Sequence, residues 1–377
     1  MKKIALIGST GSIGRQVLSV VRRHPEEFKI VSLAAGNNFS LLKEQIKEFS
    51  PSIATAAFAD ADFIPPKGTE FYRGENAFTH AITDEADLVV ISLVGFKGII
   101  AVLDAIEKKK NIALANKESL VVGGELVMKK AKKAGITITP IDSEHSAVWQ
   151  ALNFDYSTPF SKIILTASGG AFRDYSKEQL KSATAAKALL HPNWQMGAKI
   201  TVDCATLVNK AFEVTEAKWL YNTTYDKIDI IIHRESIIHS MVEFVDGVTI
   251  AQMSYPTMEI PIQLALHYPE RIYSGHKGID FKTLKSLTFS EYDRERFPCF
   301  ELVVNAAKAG GTYPAVANGA NEQAVKLFLE DKIGYTDIYK SIDEALSAHT
   351  VKKADCFETL KQANDFAVNF VKNKFGD

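Results

Sequence analysis

KIALIGSTGSIGRQVLSVVRRH, residues 3–24, holds a strand, a turn and a helix in succession. The unbroken apolar run Ile4-Ala5-Leu6-Ile7 reads as a strand buried on both faces, as strands of a parallel sheet are. Gly8, Gly11 and Gly14 follow at three-residue spacing, and the residues after them have helical spacing. Such a turn lets backbone N–H groups and a helix N-terminus face a pyrophosphate. The alternative is a strand-to-helix turn that needs glycine for backbone reasons alone; placement at the head of a βαβ pattern favours the first reading.

Outward from this unit, IVSLAAG (30–36), DLVVISLVG (87–95), IALAN (112–116) and ITITPID (136–142) are further short β-rich runs, and GELVMKKAKKAG (124–135) has helical spacing. This alternation predicts a Rossmann-type parallel-sheet domain over residues 1–148. Past residue 149 the pattern changes. HSMVEFVDGVTIAQMSY (239–255) alternates apolar and polar residues around Asp246-Gly247, a hairpin signature, inside a central α+β segment expected at 149–278. GHKGIDFKTLKSLTFSEYDRERFPCF (275–300) lacks sustained periodicity, so 279–300 reads as a linker packed on the surface. ELVVNAAKAG, NEQAVKLFLEDK, DIYKSIDEALSA and FETLKQANDFAVNFVKNKF carry apolar residues at helical intervals, predicting a helical bundle over 301–377. The expected fold class is therefore α/β with a helical C-terminal region, and at 377 residues more than one hydrophobic core is expected.

With 44 Lys+Arg against 45 Asp+Glu, no global field argues for nucleic acid or an anionic membrane. Cys204, Cys299 and Cys356 are odd in number, far apart and in no CxxC pair, which points to a reducing cytoplasm. The apolar run after Lys2-Lys3 breaks at Gly8 and reads as a strand rather than a signal peptide. No apolar stretch approaches the ~20 residues of a membrane span.

The strand IVSLAAG ends in Gly36, Asn37 and Asn38, with no Asp or Glu to repel a 2′-phosphate. NADPH is therefore inferred over NADH. In ITITPIDSEHSAVWQAL (136–152) a strand leads into Asp142, Ser143, Glu144 and His145. Carboxylates at i and i+2 on an extended segment project to one side and suit a hard divalent cation; a helix N-cap is the alternative. DCATLVNKAFE (203–213), read as continuous helix, puts Asn209, Lys210 and Glu213 on one face. An amide, an ammonium and a carboxylate together suit a site for metal and phosphate, with a solvated Lys–Glu pair as the alternative.

LTASGGAFRD (165–174) leaves a strand through Ser168, Gly169 and Gly170, a hydroxyl-and-amide nest suited to an anion, or a simple turn. HPNWQMG (191–197) sets His191, Trp194 and Met196 between Pro192 and Gly197. It reads as a mobile lid near 187–199, the alternative being a domain-contact loop.

In order along nearly the whole chain, GSTGSIG, AGNN, LANKES, DSEHSA, SGGAF, HPNWQMG, DCATLVNKAFE, HRESIIHS and NGANE resemble the 1-deoxy-D-xylulose 5-phosphate reductoisomerases of the non-mevalonate isoprenoid route. The resemblance implies conversion of 1-deoxy-D-xylulose 5-phosphate to 2-C-methyl-D-erythritol 4-phosphate by skeletal rearrangement and NADPH reduction, in a homodimer. It implies that Thr10, Gly11, Ser12, Ile13, Gly36, Asn37, Asn38, Asn116, Glu118 and Gly197 line the NADPH site. Asp142, Glu144 and Glu213 are implied as ligands of Mn²⁺ or Mg²⁺. Substrate contacts are implied for Lys117, Ser143, Glu144, Ser168, His191, Cys204, Asn209, Lys210 and Glu213, with Ser168, Asn209 and Lys210 nearest the phosphate. Lys117 and Glu144 are the candidates for electrostatic and proton-transfer roles, whereas His145 and His239 are expected to be structural or to support ligands.

Three positions depart from the family pattern. Asn37 stands where a basic residue is common, Cys204 where DSAT has serine, and Lys97 lies in SLVGFKGI, where IVGxxGL is usual. A thiol is a weaker donor than a hydroxyl, so one phosphate contact is expected to weaken at Cys204. Lys97 offers charge near the nicotinamide half or is a solvated lysine. Rival readings are another Rossmann-type NADP dehydrogenase acting on a semialdehyde or sugar phosphate, which gives no reason for the three carboxylates, and a non-catalytic NADP-binding regulatory protein, which predicts no turnover.

Overall fold

The computed structural model describes residues 1–376, so Asp377, the last residue of the 301–377 segment, lies outside the described residues. Two compact units are present: Met1–Ser119, Val127–Asp142 and Met258–His276 form the first, while Leu120–Leu126, Ser143–Thr257 and the chain from Lys277 onward form the second.

The first unit begins with β1 (Lys2–Ile7), α1 (Ser12–Arg23), β2 (Phe28–Ala35), α2 (Phe39–Phe49), β3 (Ile53–Ala56) and β4 (Glu70–Arg73). It continues through β5 (Leu88–Ile91), α3 (Gly98–Glu107), β6 (Asn111–Leu114), α4 (Glu118–Ala134) and β7 (Ile138–Pro140). The seven strands make one parallel sheet in the order β4-β3-β2-β1-β5-β6-β7. This is the expected Rossmann-type sheet, with the direction of winding reversing at β1, where such folds place ligands beyond the strand ends. Ile4, Leu6, Leu33, Leu42 and Val90 are fully buried at its centre. The short strands β3 and β4, IATA and EFYR, have too few residues to announce themselves by periodicity; pairing of β3 with β2, and of the edge strand β4 with β3, makes them strands. Gly123 (φ −134°, ψ 28°) interrupts α4, and residues 120–126 of that helix belong to the second unit.

The second unit comprises α5 (Ser143–Ala151), β8 (Phe160–Ala167), α6 (Lys177–Lys181), α7 (Ala185–Ala188), α8 (Ala198–Ala205), α9 (Val208–Leu220), β9 (Ile228–Ile232), β10 (Ile238–Phe244) and β11 (Thr249–Met253). After β11 the chain rejoins the first unit as α10 (Glu259–His267), whose Ile262, Ala265 and Leu266 bury in that unit's core. Residues 258–276 thus sit with the N-terminal sheet, although the sequence reading grouped them with 149–278. A nine-residue helix has an apolar stripe but no local sign of its distant partner. The second unit resumes with α11 (Pro298–Ala309), α12 (Tyr313–Leu329), α13 (Tyr335–Ala348) and α14 (Phe357–Phe375), the expected helical C-terminal region, packed through Val316, Ala320, Phe328, Ile338, Ile342 and Leu360.

Its sheet runs β11-β10-β8-β9, with β10 antiparallel to β8 and β11, and β8 parallel to β9. The hairpin turns at Asp246-Gly247, where the Val248 N–H donates to Asp246 Oδ1 (3.0 Å). Two local expectations are corrected. Helix α5 starts at Ser143, so Glu144 lies in a first helical turn rather than on an extended segment. The helix read through 203–213 is broken between α8 and α9 at Leu207, which adopts φ +60°; no glycine or proline marks that break. Among the described residues no helix is long and apolar enough to cross a membrane.

Candidate functional site

In the first unit, nine of the ten residues implied for a dinucleotide lie at the carboxyl ends of β1, β2 and β6, on one edge of the sheet. The turn after β1 is tightly folded: a Cβ on Gly14 would overlap the Gly8 carbonyl oxygen and come within 2.7 Å of Ser9 Cα. Only glycine lets α1 start this close to the strand. Helix α1 begins after Gly11 with no side-chain cap and no acidic residue in its first turn, so its N–H groups around Ser12 and Ile13 are available to an anion. Asn38 caps α2 by accepting from the Leu41 N–H (3.1 Å), while Gly36 and Asn37 complete the exposed turn after β2.

Asn116 is buried and serves the loop after β5: its Nδ2 donates to the carbonyls of Leu93 and Gly95 and to Glu118 Oε2, each at 3.0 Å, and its Oδ1 accepts from the Ser119 N–H. This residue shapes the turn with its side chain. Lys97 is exposed and ion-paired to Glu75 (2.6 Å), in line with the solvated-lysine reading. At the ends of the neighbouring strands β6 and β7, Lys117 Nζ meets Asp142 Oδ2 at 2.5 Å, with both residues buried. The tenth residue, Gly197, is the N-terminal flank of α8 in the second unit.

The second unit gathers charge on α9. Asn209 Nδ2 donates to Glu213 Oε1 (2.6 Å), and Lys210 Nζ donates to Glu213 Oε2 and also to Glu144 Oε1 (3.1 Å). Glu213 is 0% and Lys210 3% exposed, which rules out the solvated-pair alternative. Taking these charges out of water is costly, and removing one partner of such a group typically costs about 3–5 kcal/mol. Ser143 Oγ donates to Glu144 Oε2 (2.6 Å), so Glu144 is held from two sides. Two carboxylates converging on one ammonium are a donor set that suits a hard cation. Asp142 precedes this group in the chain by two residues from Glu144.

Beyond β8, His191 Nδ1 accepts from the backbone N–H groups of Asn193 (3.2 Å) and Trp194 (3.0 Å). The ring proton is thereby placed on Nε2, which donates to Ser168 Oγ (2.9 Å). Burial, with Arg173 second, pushes the His191 imidazole down to about 4, so it is neutral at physiological pH. Gly170, at φ +67°, lies against α8, where a Cβ would come within 2.5 Å of the Cys204 carbonyl oxygen. The Ser168 turn and half-buried Cys204 are therefore neighbours. Trp194 lies edge-on to His239 at 5.9 Å between ring centroids, and Met196 is half-buried beside it in sequence. Burial lowers the His239 pKa, and its Nε2 donates to the Ser254 carbonyl (3.2 Å).

Sequence reading passed over two buried carboxylates. Glu216 Oε2 lies 3.1 Å from His145 Nε2, the residues being 1% and 0% exposed; the signal was its place one turn beyond Glu213 on the same face. Asp203 accepts from Asn321 Nδ2 (2.8 Å) and pairs with Lys199 (2.7 Å). That contact explains the Asn321 of NGANE, which anchors α12 to α8, but no local pattern could announce a partner 118 residues away.

Models of the 1-deoxy-D-xylulose 5-phosphate reductoisomerase family match residues 4–124, 138–221 (a C-terminal domain) and 253–369 (a DXP reductoisomerase C-terminal domain). A 1-deoxy-D-xylulose 5-phosphate reductoisomerase 1 of Bacillus thuringiensis subsp. konkukian is 46% identical over 372 residues, covering 97% of each chain. The reductoisomerase of Pelodictyon phaeoclathratiforme is 47% identical over 380 residues, covering 99% of each. A crystal structure of DOX-P reductoisomerase in complex with NADPH, fosmidomycin and magnesium superposes with a TM-score of 0.94 at 35% identity, over 100% of this chain and 98% of that one. The Zymomonas mobilis enzyme in complex with NADPH gives 0.89 at 34%, over 99% and 98%. With a sheet of the expected topology, matched motifs and relatives aligned over nearly its full length, the chain belongs to the 1-deoxy-D-xylulose 5-phosphate reductoisomerase family.

Proposed function

We propose that this chain converts 1-deoxy-D-xylulose 5-phosphate to 2-C-methyl-D-erythritol 4-phosphate with NADPH and Mg²⁺ or Mn²⁺. The observation that carries the site assignment is the buried cluster of Glu144, Asn209, Lys210 and Glu213, a concentration of charge that a packing role alone would not repay.

Gly11, Ser12 and Ile13 offer the α1 N-terminus to the cofactor pyrophosphate, with Thr10, Gly36, Asn37, Asn38, Asn116, Glu118 and Gly197 completing its site. The uncapped start of α1 supports this reading. Asp142, Glu144 and Glu213 hold the divalent cation; the carboxylates of Glu144 and Glu213, already gathered around one ammonium, support it. When bound, the cation polarises the ketose carbonyl and its neighbouring hydroxyl, and NADPH supplies the hydride.

The side chains do the rest. Ser168, Asn209 and Lys210 bind the phosphate, with His191 presenting its Nε2–H and Cys204 a thiol beside them. Ser143 orients Glu144, which accepts and returns the hydroxyl proton, and Lys117 places positive charge where oxyanion character develops. Trp194 and Met196 act as the lid that excludes water; the bonds from His191 to the backbone of Asn193 and Trp194 tie that segment to Ser168 and so to the phosphate.

The same reading takes the protein as a cytoplasmic homodimer. The edge strand β11, with Ile250 exposed on it and Val248 exposed in the turn before it, supports strand-edge pairing. NADPH oxidation followed optically with 1-deoxy-D-xylulose 5-phosphate tests the function: turnover that requires Mg²⁺ or Mn²⁺ and stops with EDTA is expected, and metal-independent turnover or none would overturn it.

A further inference from the structure

At the opposite end of the sheet from the proposed dinucleotide site, the chain leaves α1 through His24-Pro25-Glu26-Glu27 and enters β2. The Glu27 N–H donates to the His24 carbonyl (3.1 Å), closing a turn stiffened by Pro25, and Lys2 N–H holds the Glu27 carbonyl (2.6 Å). Helix α10 delivers His267 to the same place. His24 Nδ1 lies 3.3 Å from Glu27 Oε1, and His267 Nε2 lies 3.1 Å from Glu27 Oε2. One donor atom from each residue falls within 4.8 Å of both others.

The chemistry of these atoms is that of a ligand set. His267 Nδ1 is 2.9 Å from the Gln263 carbonyl, which only accepts, so Nδ1 carries the proton and Nε2 presents its lone pair to the carboxylate. A ring N–H donated to a backbone carbonyl is the support that orients metal-bound imidazoles. His267 Nε2 and His24 Nε2 are both buried without a hydrogen-bond partner, and the His267 side chain is only 3% exposed. Two acceptors facing each other at 3.1 Å call for a cation between them, either a proton or a metal ion. Phe28 covers the cluster edge-on, 4.5 Å from the His267 ring, while Glu27 is 48% exposed and leaves an entry from solvent. The nearby Lys2 ammonium is taken up by the Leu266 carbonyl (2.6 Å). Zinc bonds of about 2.0–2.1 Å to nitrogen and oxygen need donors about 3.3 Å apart in a tetrahedron; each imidazole already meets one Glu27 oxygen in that range, His24 at Oε1 and His267 at Oε2.

We propose that His24, Glu27 and His267 form a second metal site, separate from the Glu144–Glu213 cluster, that binds Zn²⁺ through two imidazoles and one carboxylate. The ion clips α10 to the α1–β2 turn, joining segments more than two hundred residues apart within the first unit.

The test is titration of the full-length protein with Zn²⁺ against a chromophoric zinc indicator, with excess Mg²⁺ to keep the carboxylate cluster filled. One equivalent of Zn²⁺ is expected to bind, at least about tenfold more weakly in His24→Gln and Glu27→Gln. Both changes lie on a partly exposed turn, so they keep the test valid if the buried His267→Gln variant does not fold. Zn²⁺ is also expected to raise the thermal midpoint of the wild type but not of His24→Gln. Absence of a stoichiometric Zn²⁺, or equal affinity in the wild type and both turn variants, overturns the proposal.

Discussion

The turn after β1 and the cluster on α9 serve one proposed reaction but are built from opposite materials. The first is backbone: Gly8, Gly11 and Gly14 remove side chains so that N–H groups and a helix N-terminus are exposed. The second is side chain: an amide, an ammonium and two carboxylates are taken out of water and must satisfy one another. A backbone site is forced by sterics that any reader of the sequence can see, whereas a side-chain site exists only once the fold has buried it.

The strongest challenge to this contrast is Glu213→Gln. Lost charge should cut turnover by about a hundredfold or more and weaken Mn²⁺ binding while NADPH affinity, measured by cofactor fluorescence, stays near wild type. Near-normal turnover would remove Glu213 from the metal site. Gly14→Ala probes the other side: the new Cβ must push apart the Gly8 turn and α1, at a cost of about 1–3 kcal/mol, so NADPH binding should weaken roughly tenfold with Mn²⁺ binding intact. If both ligands weakened equally in either variant, the two regions would not be separable.

Trp194→Ala should raise the substrate KM and lower turnover by about tenfold through lost apolar cover, leaving NADPH affinity nearly unchanged; a collapse of cofactor affinity would refute the lid role. His191 gives a pH signature. Its folded pKa, about 4, lies below the ordinary 6.5 because the ring is buried. The unfolded chain therefore takes up a proton first as pH falls, and stability drops between pH 6.5 and 4 and is fully present above that window. His191→Gln should flatten that part of the thermal-midpoint profile, and an unchanged slope would show that other groups set it. Cys204→Ser is the smallest step: a hydroxyl in place of a thiol should hold or improve substrate affinity within about threefold, and a large loss would give the thiol a separate role.

Legibility followed the same division. The parallel sheet, the hairpin at Asp246-Gly247 and the C-terminal helices could be read because unbroken apolar runs and periodicities of two and 3.6 are local. The short strands β3 and β4 could not, being four residues each and dependent on pairing, β3 with β2 and β4 with β3. Spacing placed Asn209, Lys210 and Glu213 on one face correctly, yet ran the helix through Leu207, whose left-handed backbone no residue type announces. Family resemblance supplied Asp142 and Glu144 with a role, while the stated local reason, an extended segment, gave way to the start of α5.

By itself, then, the order of residues determined the Gly-rich turn, the absence of an acid at Asn37-Asn38, the alternating elements and the family motifs, since each depends on neighbours within a few positions. Tertiary structure alone decided that Glu213 and Lys210 are buried rather than solvated, that His191 is neutral with its proton toward Ser168, and that α10 returns to bring His267 to His24 and Glu27. Burial and long-range approach set the free energy of a charge or a lone pair, and neither is a property of sequence spacing.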